Sequence, residues 1–432
     1  MLRTVRLIAL FSGLLVATFA QAHDVDPLTY GYPLTNPFEA TIATTPPPLR
    51  PELPDDDAIK QADHSLDLRI ERAAELPSIF WPVERFQYRL AQQPGKAPLI
   101  FIIAGTGSRY SNTTMEFLKK LYYGAGYHVV QLSSPTSYDF IVSASRHATP
   151  GYTPDDARDL YHVMKAIRAA HPGLAISDYM LTGYSLGALD AAFVSELDER
   201  EQAFNFKRVL LINPPVNLYT SVTNLDRLVQ TRVNGIDNST NFYDLVLGKI
   251  TRYFNERGGL DIDAAMLYDF QQSKEQLSDE ELAMLIGSAF RFFAADIVFT
   301  SDVVNRRGLL VPRDAELSEG SSLTPFMQLA MRCDFECYLN EQLMPMWRER
   351  DGGKNLDQLI NQVSLYALED YLKSSRKIAV MHNADDLILG PGDLGFLRRT
   401  FADRLTVYPL GGHCGNLNYT VNSQAMLEFF RD

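Results

Sequence analysis

The chain has 432 residues, 46% of them hydrophobic, which is enough to bury a large core and too many for one minimal domain. Its formal net charge of −13 gives it no electrostatic attraction to nucleic acid or to an anionic membrane surface, so neither is expected as a partner.

At the N-terminus, Arg3 and Arg6 precede an apolar run over 7–20, and Ala20-Gln21-Ala22 supplies a small-x-small cleavage pattern. Together they predict a signal peptide, 1–22, cut after Ala22. The run is shorter than the roughly 20 apolar residues of a membrane-spanning helix. The expectation is a periplasmic or secreted protein that keeps no integral membrane segment. The next segment, 23–75, contains Pro46-Pro47-Pro48, Pro51 and Pro54. Proline excludes long helices and central strands, which predicts an extended arm on the surface or a partly disordered segment.

Regular alternation starts in 76–216. The run 98–104 (PLIFIIA) ends in Gly105-Thr106-Gly107, and similar runs recur at 127–132, 179–182 and 208–213. Continuous apolar runs closed by turn residues suit strands buried on both faces of a parallel sheet. Helical patterns lie between them, one starting at Thr153-Pro154-Asp155-Asp156 with Thr153 as its cap. Across 217–375 the strand rhythm stops. Ser278 to Glu281 reads as a capping box ahead of apolar Leu282, Leu285, Ile286, Ala289, Phe290, Phe293 and Ile297. A further helix is expected from Thr324-Pro325, ended or kinked at Pro345. This stretch is too long for a loop and predicts a large helical cap. The strand signals return at 377–381 and 404–408, within a closing segment 376–432. Strands alternating with helices define an α/β fold: a mostly parallel central sheet with helices on both faces.

Cys333, Cys337 and Cys414 are an odd set, so at least one thiol is unpaired and the pairing stays open. A bridge between Cys333 and Cys337 needs bent local geometry, because four residues on a regular helix share one face. There is no Cys-x-x-Cys and no Cys/His cluster at zinc spacing, so no metal and no cofactor are expected.

The chemistry concentrates in three turns. Gly183-Tyr184-Ser185-Leu186-Gly187 follows an apolar strand and precedes an alanine- and leucine-rich helix. A serine on so sharp a strand-to-helix turn needs small neighbours, and the two glycines supply them. A serine hydroxyl is a weak nucleophile at neutral pH and needs a base. His413, in Gly411-Gly412-His413-Cys414-Gly415 after the last strand, is best placed, ahead of His382; His147, His162 and His171 read as surface residues. A carboxylate must fix the imidazole tautomer. Asp386 is preferred, with Asp385 beside it as the second candidate. The oxyanion needs preorganised N–H donors: Leu186 after the serine, and Thr106 in the turn after the first buried strand, with Gly107 as fallback. That turn lacks the glycine-lysine pattern of a phosphate loop, so no nucleotide is expected.

On Gly183-Tyr184-Ser185-Leu186-Gly187, on Asp386 after the penultimate strand and on Gly412-His413 after the last, the chain resembles the α/β-hydrolase superfamily, serine esterases and lipases in particular. The resemblance covers about 80–216 and 376–432. It departs at Ala104-Gly105, where many members carry His-Gly. It implies acyl transfer through an acyl-serine, with Ser185, Asp386 and His413 as triad and Thr106 and Leu186 as oxyanion donors. The implied substrate is a small-molecule or lipid ester. Two alternatives stand beside it: an acyltransferase using the same triad, and a binding protein on the same fold without turnover.

Overall fold

The computed structural model describes residues 21–68, 70, 75–233, 245, 248–249, 269–353 and 355–431. The predicted signal segment lies almost wholly outside them, as does much of the insertion between 234 and 268.

The described elements run in chain order as β1 (His23–Asp24), α1 (Pro27–Tyr30), α2 (Pro37–Ala43), β2 (Gln61–Leu66), β3 (Phe86–Ala91), β4 (Ala97–Ile103), α3 (Thr113–Gly124), β5 (His128–Leu132), α4 (Tyr138–Ser143), α5 (Thr153–Ala170), β6 (Ile176–Tyr184), α6 (Leu186–Glu201) and β7 (Arg208–Ile212). The insertion then adds α7 (Leu218–Arg227), α8 (Asp279–Asn305), α9 (Thr324–Ala330), α10 (Phe335–Tyr338), α11 (Met344–Asp351), α12 (Leu356–Gln362) and α13 (Glu369–Ser374). The chain closes with β8 (Ile378–Asn383), α14 (Asp393–Phe401), β9 (Leu405–Tyr408) and α15 (Thr420–Arg431).

Nine strands form one sheet in the order β1-β9-β8-β7-β6-β4-β5-β3-β2. All neighbours pair in parallel except β3, which runs antiparallel to both β2 and β5. This is the α/β-hydrolase arrangement that the resemblance implied. Strand β4 shows why the sheet has two covered faces. Its side chains alternate, and Leu99, Phe101 and Ile103 join a core with residues of α5 and α6, whereas Ile100 and Ile102 join another with residues of α3 and α15. A strand buried on both sides has no polar face, hence its unbroken apolar run.

The N-terminal arm departs from expectation. Tyr30, Tyr32, Leu34 and Ala40 are buried, and the segment supplies both edge strands of the sheet. At one edge His23 and Asp24 pair with Thr406 and Val407, and at the other 61–66 pairs with β3. As the prolines require, the segment has no long helix and no central strand; what departs is its burial. Pro27 and Pro37 each open a short helix behind a capping residue, Asp26 or Asn36.

Between β7 and β8 the described residues contain helices and no strand. The capping box at Ser278 is present and opens the 27-residue α8. By length and composition α8 could cross a membrane, yet more than half of its most apolar window is buried inside the protein. The helix from Thr324 ends at Ala330, far short of Pro345, which instead lies inside a continuous helical stretch, where a π-helical turn over Leu339–Leu343 leads into α11. Thr153 is not the cap of α5: that position is Tyr152, and the Thr153 hydroxyl donates to the Val363 carbonyl at 3.0 Å. Cys333 and Cys337 form a disulfide, and Cys414 is free. The bend the bridge requires comes from Asp334, which is extended, caps α10 and so separates the two cysteines from a common helix.

Candidate active site

Strand β6 ends at Tyr184, α6 starts at Leu186, and Ser185 between them has φ 54° and ψ −128°. A non-glycine residue with positive φ is strained, and such strain persists only where the surroundings fix it. The fixing groups are visible. Ser185 N–H donates to the Ile212 carbonyl of β7 at 2.9 Å, and Ala188 N–H returns to the Ser185 carbonyl at 3.0 Å. The flanking glycines are required by contact. A Cβ on Gly183 would lie 2.1 Å from the Gly187 carbonyl oxygen, and one on Gly187 2.3 Å from that of Ile103. Gly105 is equally constrained, since a Cβ there would meet the Tyr184 ring at 2.8 Å and Ser185 Cβ at 3.2 Å.

The turn after β9 brings His413 to this serine. His413 Nε2 lies 2.9 Å from Ser185 Oγ, and its Nδ1 lies 3.0 and 3.1 Å from the two carboxylate oxygens of Asp386. A carboxylate only accepts, so the proton sits on Nδ1 and leaves Nε2 to accept from the serine hydroxyl. Asp386 also accepts from Asn213 Nδ2 at 2.8 Å and from Ile388 N–H at 3.1 Å. Burial pushes the Asp386 carboxyl up, but charge and hydrogen bonding from His413, with His382 behind it, hold it below the ordinary carboxylate value.

The two rival residues have other partners. Asp385 does not touch the imidazole; its oxygens accept from Gly411 N–H at 3.1 Å and Gly412 N–H at 2.9 Å, beneath the histidine turn. His382 is fully buried, with Nε2 3.1 Å from the Pro214 carbonyl and Nδ1 accepting from Asn383 N–H at 3.0 Å. His171, expected on the surface, is half-buried and bonds the Tyr88 hydroxyl at 2.8 Å.

At the turn after β4, Gly107 N–H is taken by Thr136 Oγ1 at 2.8 Å and Ser108 N–H by the Gly105 carbonyl at 3.0 Å. Gly107 N–H is thus engaged, and no hydrogen bond occupies Thr106 N–H among the described residues. Leu186 N–H opens α6, where the helix dipole adds positive potential. The cleft around Ser185 is lined by Thr106, His413 and Cys414, by Thr41 and Ile42 of the arm, and by Leu285, Ile286, Ala289, Phe290 and Phe293 of α8. Much of the apolar stripe read from the sequence of α8 thus lines the cleft at the serine.

Sequence reasoning missed what holds the histidine turn. Thr41 Oγ1 accepts from His413 N–H at 3.0 Å and donates to the Pro37 carbonyl at 2.6 Å. Asn383 Nδ2 donates to the Gly412 carbonyl at 2.8 Å, and Asn416 Nδ2 reaches both Asn383 Oδ1 and the Tyr30 hydroxyl at 2.7 Å. Asn213, closing a buried strand ahead of two prolines, carried a signal as an unusual polar strand end. Thr41 carried none.

No protein-family model and no curated protein matches the chain. Solved structures with a similar fold include one of two fungal esterases from Rhizomucor miehei, 15% identical over 88% of this chain and 85% of its own, with a TM-score of 0.42. The Pyrococcus furiosus esterase Pf2001 is 11% identical over 90% of this chain and 98% of its own, with a TM-score of 0.41. A thioesterase domain from the curacin biosynthetic pathway is 14% identical over 86% and 99%, with a TM-score of 0.37. Likenesses with TM-scores under 0.5 carry no functional weight; the chemistry rests on the side chains of this chain.

Proposed function

We propose that the protein is an exported serine hydrolase that cleaves a carboxylic ester through an acyl-serine intermediate. The observation that carries this reading is the unbroken relay from Ser185 Oγ through His413 to Asp386, with contacts of 2.9, 3.0 and 3.1 Å. Ser185 Oγ attacks the ester carbonyl as its proton passes to His413 Nε2. The tetrahedral oxyanion is met by the N–H groups of Thr106 and Leu186. His413 then gives the proton to the departing alkoxide, and water repeats the sequence to release the acid. Asp386 holds the Nδ1 tautomer and stabilises the imidazolium without taking the proton. Losing one oxyanion donor in such a site commonly costs about 3 kcal/mol, so preorganisation of Thr106 and Leu186 is a large part of the barrier reduction. The Cys333–Cys337 disulfide supports export, since such bridges persist in oxidising compartments.

A fluorophosphonate probe tests the reading, because it labels only an activated serine. Wild-type protein should be labelled, and Ser185→Ala and His413→Ala should not. Both variants should lose about 10⁴-fold or more in kcat for a simple aryl ester while keeping the wild-type melting transition. Labelling that survives in Ser185→Ala would remove the assignment.

A further inference from the structure

The cleft at Ser185 is not the only space beside the serine. A second, almost wholly apolar cavity runs between the carboxyl edge of the sheet and the helices of the insertion. It shares Thr106 and Phe290 with the cleft and is also lined by Leu186, whereas His413 and Cys414 line the cleft alone. We infer that this cavity binds the acyl part of the substrate, and that this part is a linear apolar chain of medium to long length. The inference rests on the acyl-serine reading above and adds the substrate class.

The direction of binding follows from where each atom must go. His413 Nε2 hands its proton to the leaving oxygen, so the alcohol half lies on the His413 side, in the open cleft. The carbonyl oxygen points at the N–H groups of Thr106 and Leu186. The remaining substituent on the carbonyl carbon is the acyl chain, and it points to the side where Thr106 and Leu186 open into the cavity.

The walls decide the chemistry. Ala294 and Val298 of α8, Leu339, and Leu359 of α12 are apolar. Three of the polar side chains among the lining residues, Thr136, Asp334 and Tyr338, are engaged with the protein itself. Asp334, the charged side chain there, accepts from Cys337 N–H at 2.9 Å, and the Tyr338 hydroxyl donates to the Pro150 carbonyl at 2.7 Å. A peptide or sugar acyl group would strand its donors and acceptors in such a space, while a hydrocarbon chain asks for nothing the walls lack. Length follows from the roof. From Phe290, shared with the cleft, to Val298 at the cavity, α8 advances eight residues, about 12 Å at 1.5 Å per residue. Leu359 and Ile360 line the cavity and not the cleft, so they face the acyl chain and not the alcohol half. The Cys333–Cys337 bridge ties down the segment that carries Asp334 and abuts Phe335, which keeps this wall in place.

The test compares kcat/KM for p-nitrophenyl acetate, octanoate and dodecanoate in wild type, Ala294→Trp and Ile360→Trp, with melting curves for each protein. The two variants come from different walls, so one misfolding leaves the other readable. Burial of each methylene is worth roughly fourfold, so the octanoate-to-acetate ratio in wild type should exceed 100. Ala294→Trp and Ile360→Trp should each lower the dodecanoate-to-acetate ratio at least tenfold. A wild type that favours acetate, or ratios untouched by both variants, would overturn the chain site and leave the serine chemistry standing. If wild type cleaves none of the esters, the acyl-serine reading falls instead. Calorimetric titration of dodecanoic acid into the wild-type protein and Ala294→Trp then decides the cavity: binding lost in the variant upholds it, and no binding to wild type ends it.

Discussion

The serine turn and the histidine turn meet across 2.9 Å, yet they are held by different parts of the molecule. Everything that fixes Ser185 belongs to the sheet: the Ile212 carbonyl of β7, the Ile103 backbone of β4, and the glycines between β6 and α6. What fixes His413 comes in part from the opposite end of the chain. Thr41 and Pro37 lie under the imidazole turn, and Tyr30 and Tyr32 reach Asn416 and the Gly415 carbonyl. The nucleophile is thus held by the sheet alone, while the base is held jointly by the loop after β8 and by the arm. Stability and activity should separate along this line.

The largest separation is expected at the glycines. Gly187→Ala puts a Cβ 2.3 Å from the Ile103 carbonyl in a central strand that cannot move, so it should cost about 4 kcal/mol or more of stability. Gly412→Ala meets the Pro37 carbonyl at 2.2 Å and carries a φ of 55°, against a seven-residue helix of the arm and not a central strand. Its stability cost should stay at about 1–3 kcal/mol, while ester hydrolysis falls roughly 100-fold as the imidazole is displaced. Melting curves and kcat on a short aryl ester read the two effects. Equal melting losses in both variants would erase the distinction.

A milder perturbation sharpens it. Thr41→Val keeps the shape of the side chain and removes the acceptor for His413 N–H. Leaving that N–H without a partner should cost about 1–2 kcal/mol in the transition state, a drop of roughly tenfold in kcat. KM and the melting temperature should change little. A loss confined to the melting temperature would mean that Thr41 supports the arm and not the base.

The same contrast explains what could be read from the sequence. The serine turn was legible because its requirements are local: an apolar strand, two glycines at fixed spacing and a helix follow one another along the chain. The strands at 98–104 and 208–213 were legible because burial on both faces removes every polar position. The burial of the arm was not, because prolines limit helix length and strand position and do not say where a segment packs. The arm's contact with His413 joins residues 372 positions apart, and no local pattern announces that. The choice of Asp386 over Asp385 lay within reach of the motif; the task of Asp385, bonding Gly411 and Gly412, did not.

The smallest expected effect concerns the carboxyl groups behind the two turns. Asp385 sits under the histidine turn, where burial raises its pKa and two backbone N–H groups work against that rise. Asp190 sits behind the serine turn in α6, buried, with neither carboxyl oxygen hydrogen-bonded among the described residues. Burial raises it well above the usual carboxylate range, and burial followed by the nearby Asp190 does the same to Asp156. A carboxyl with a raised folded-state pKa keeps a proton that the unfolded chain has already released. Unfolding free energy therefore falls as pH rises from the unfolded value of about 4 toward the folded one, and the penalty is complete above the latter. Asp190→Asn preserves the shape and deletes this titration. Its melting temperature should fall less than that of wild type between about pH 5 and pH 9, with the variant the more stable of the two at the upper end. Asp385→Asn should leave the slope nearly as it is, since its N–H partners already offset much of the burial. Parallel pH profiles for wild type and Asp190→Asn would place the titrating group elsewhere. They would also mean that the sheet side of the site tolerates a buried charge as well as the arm side does.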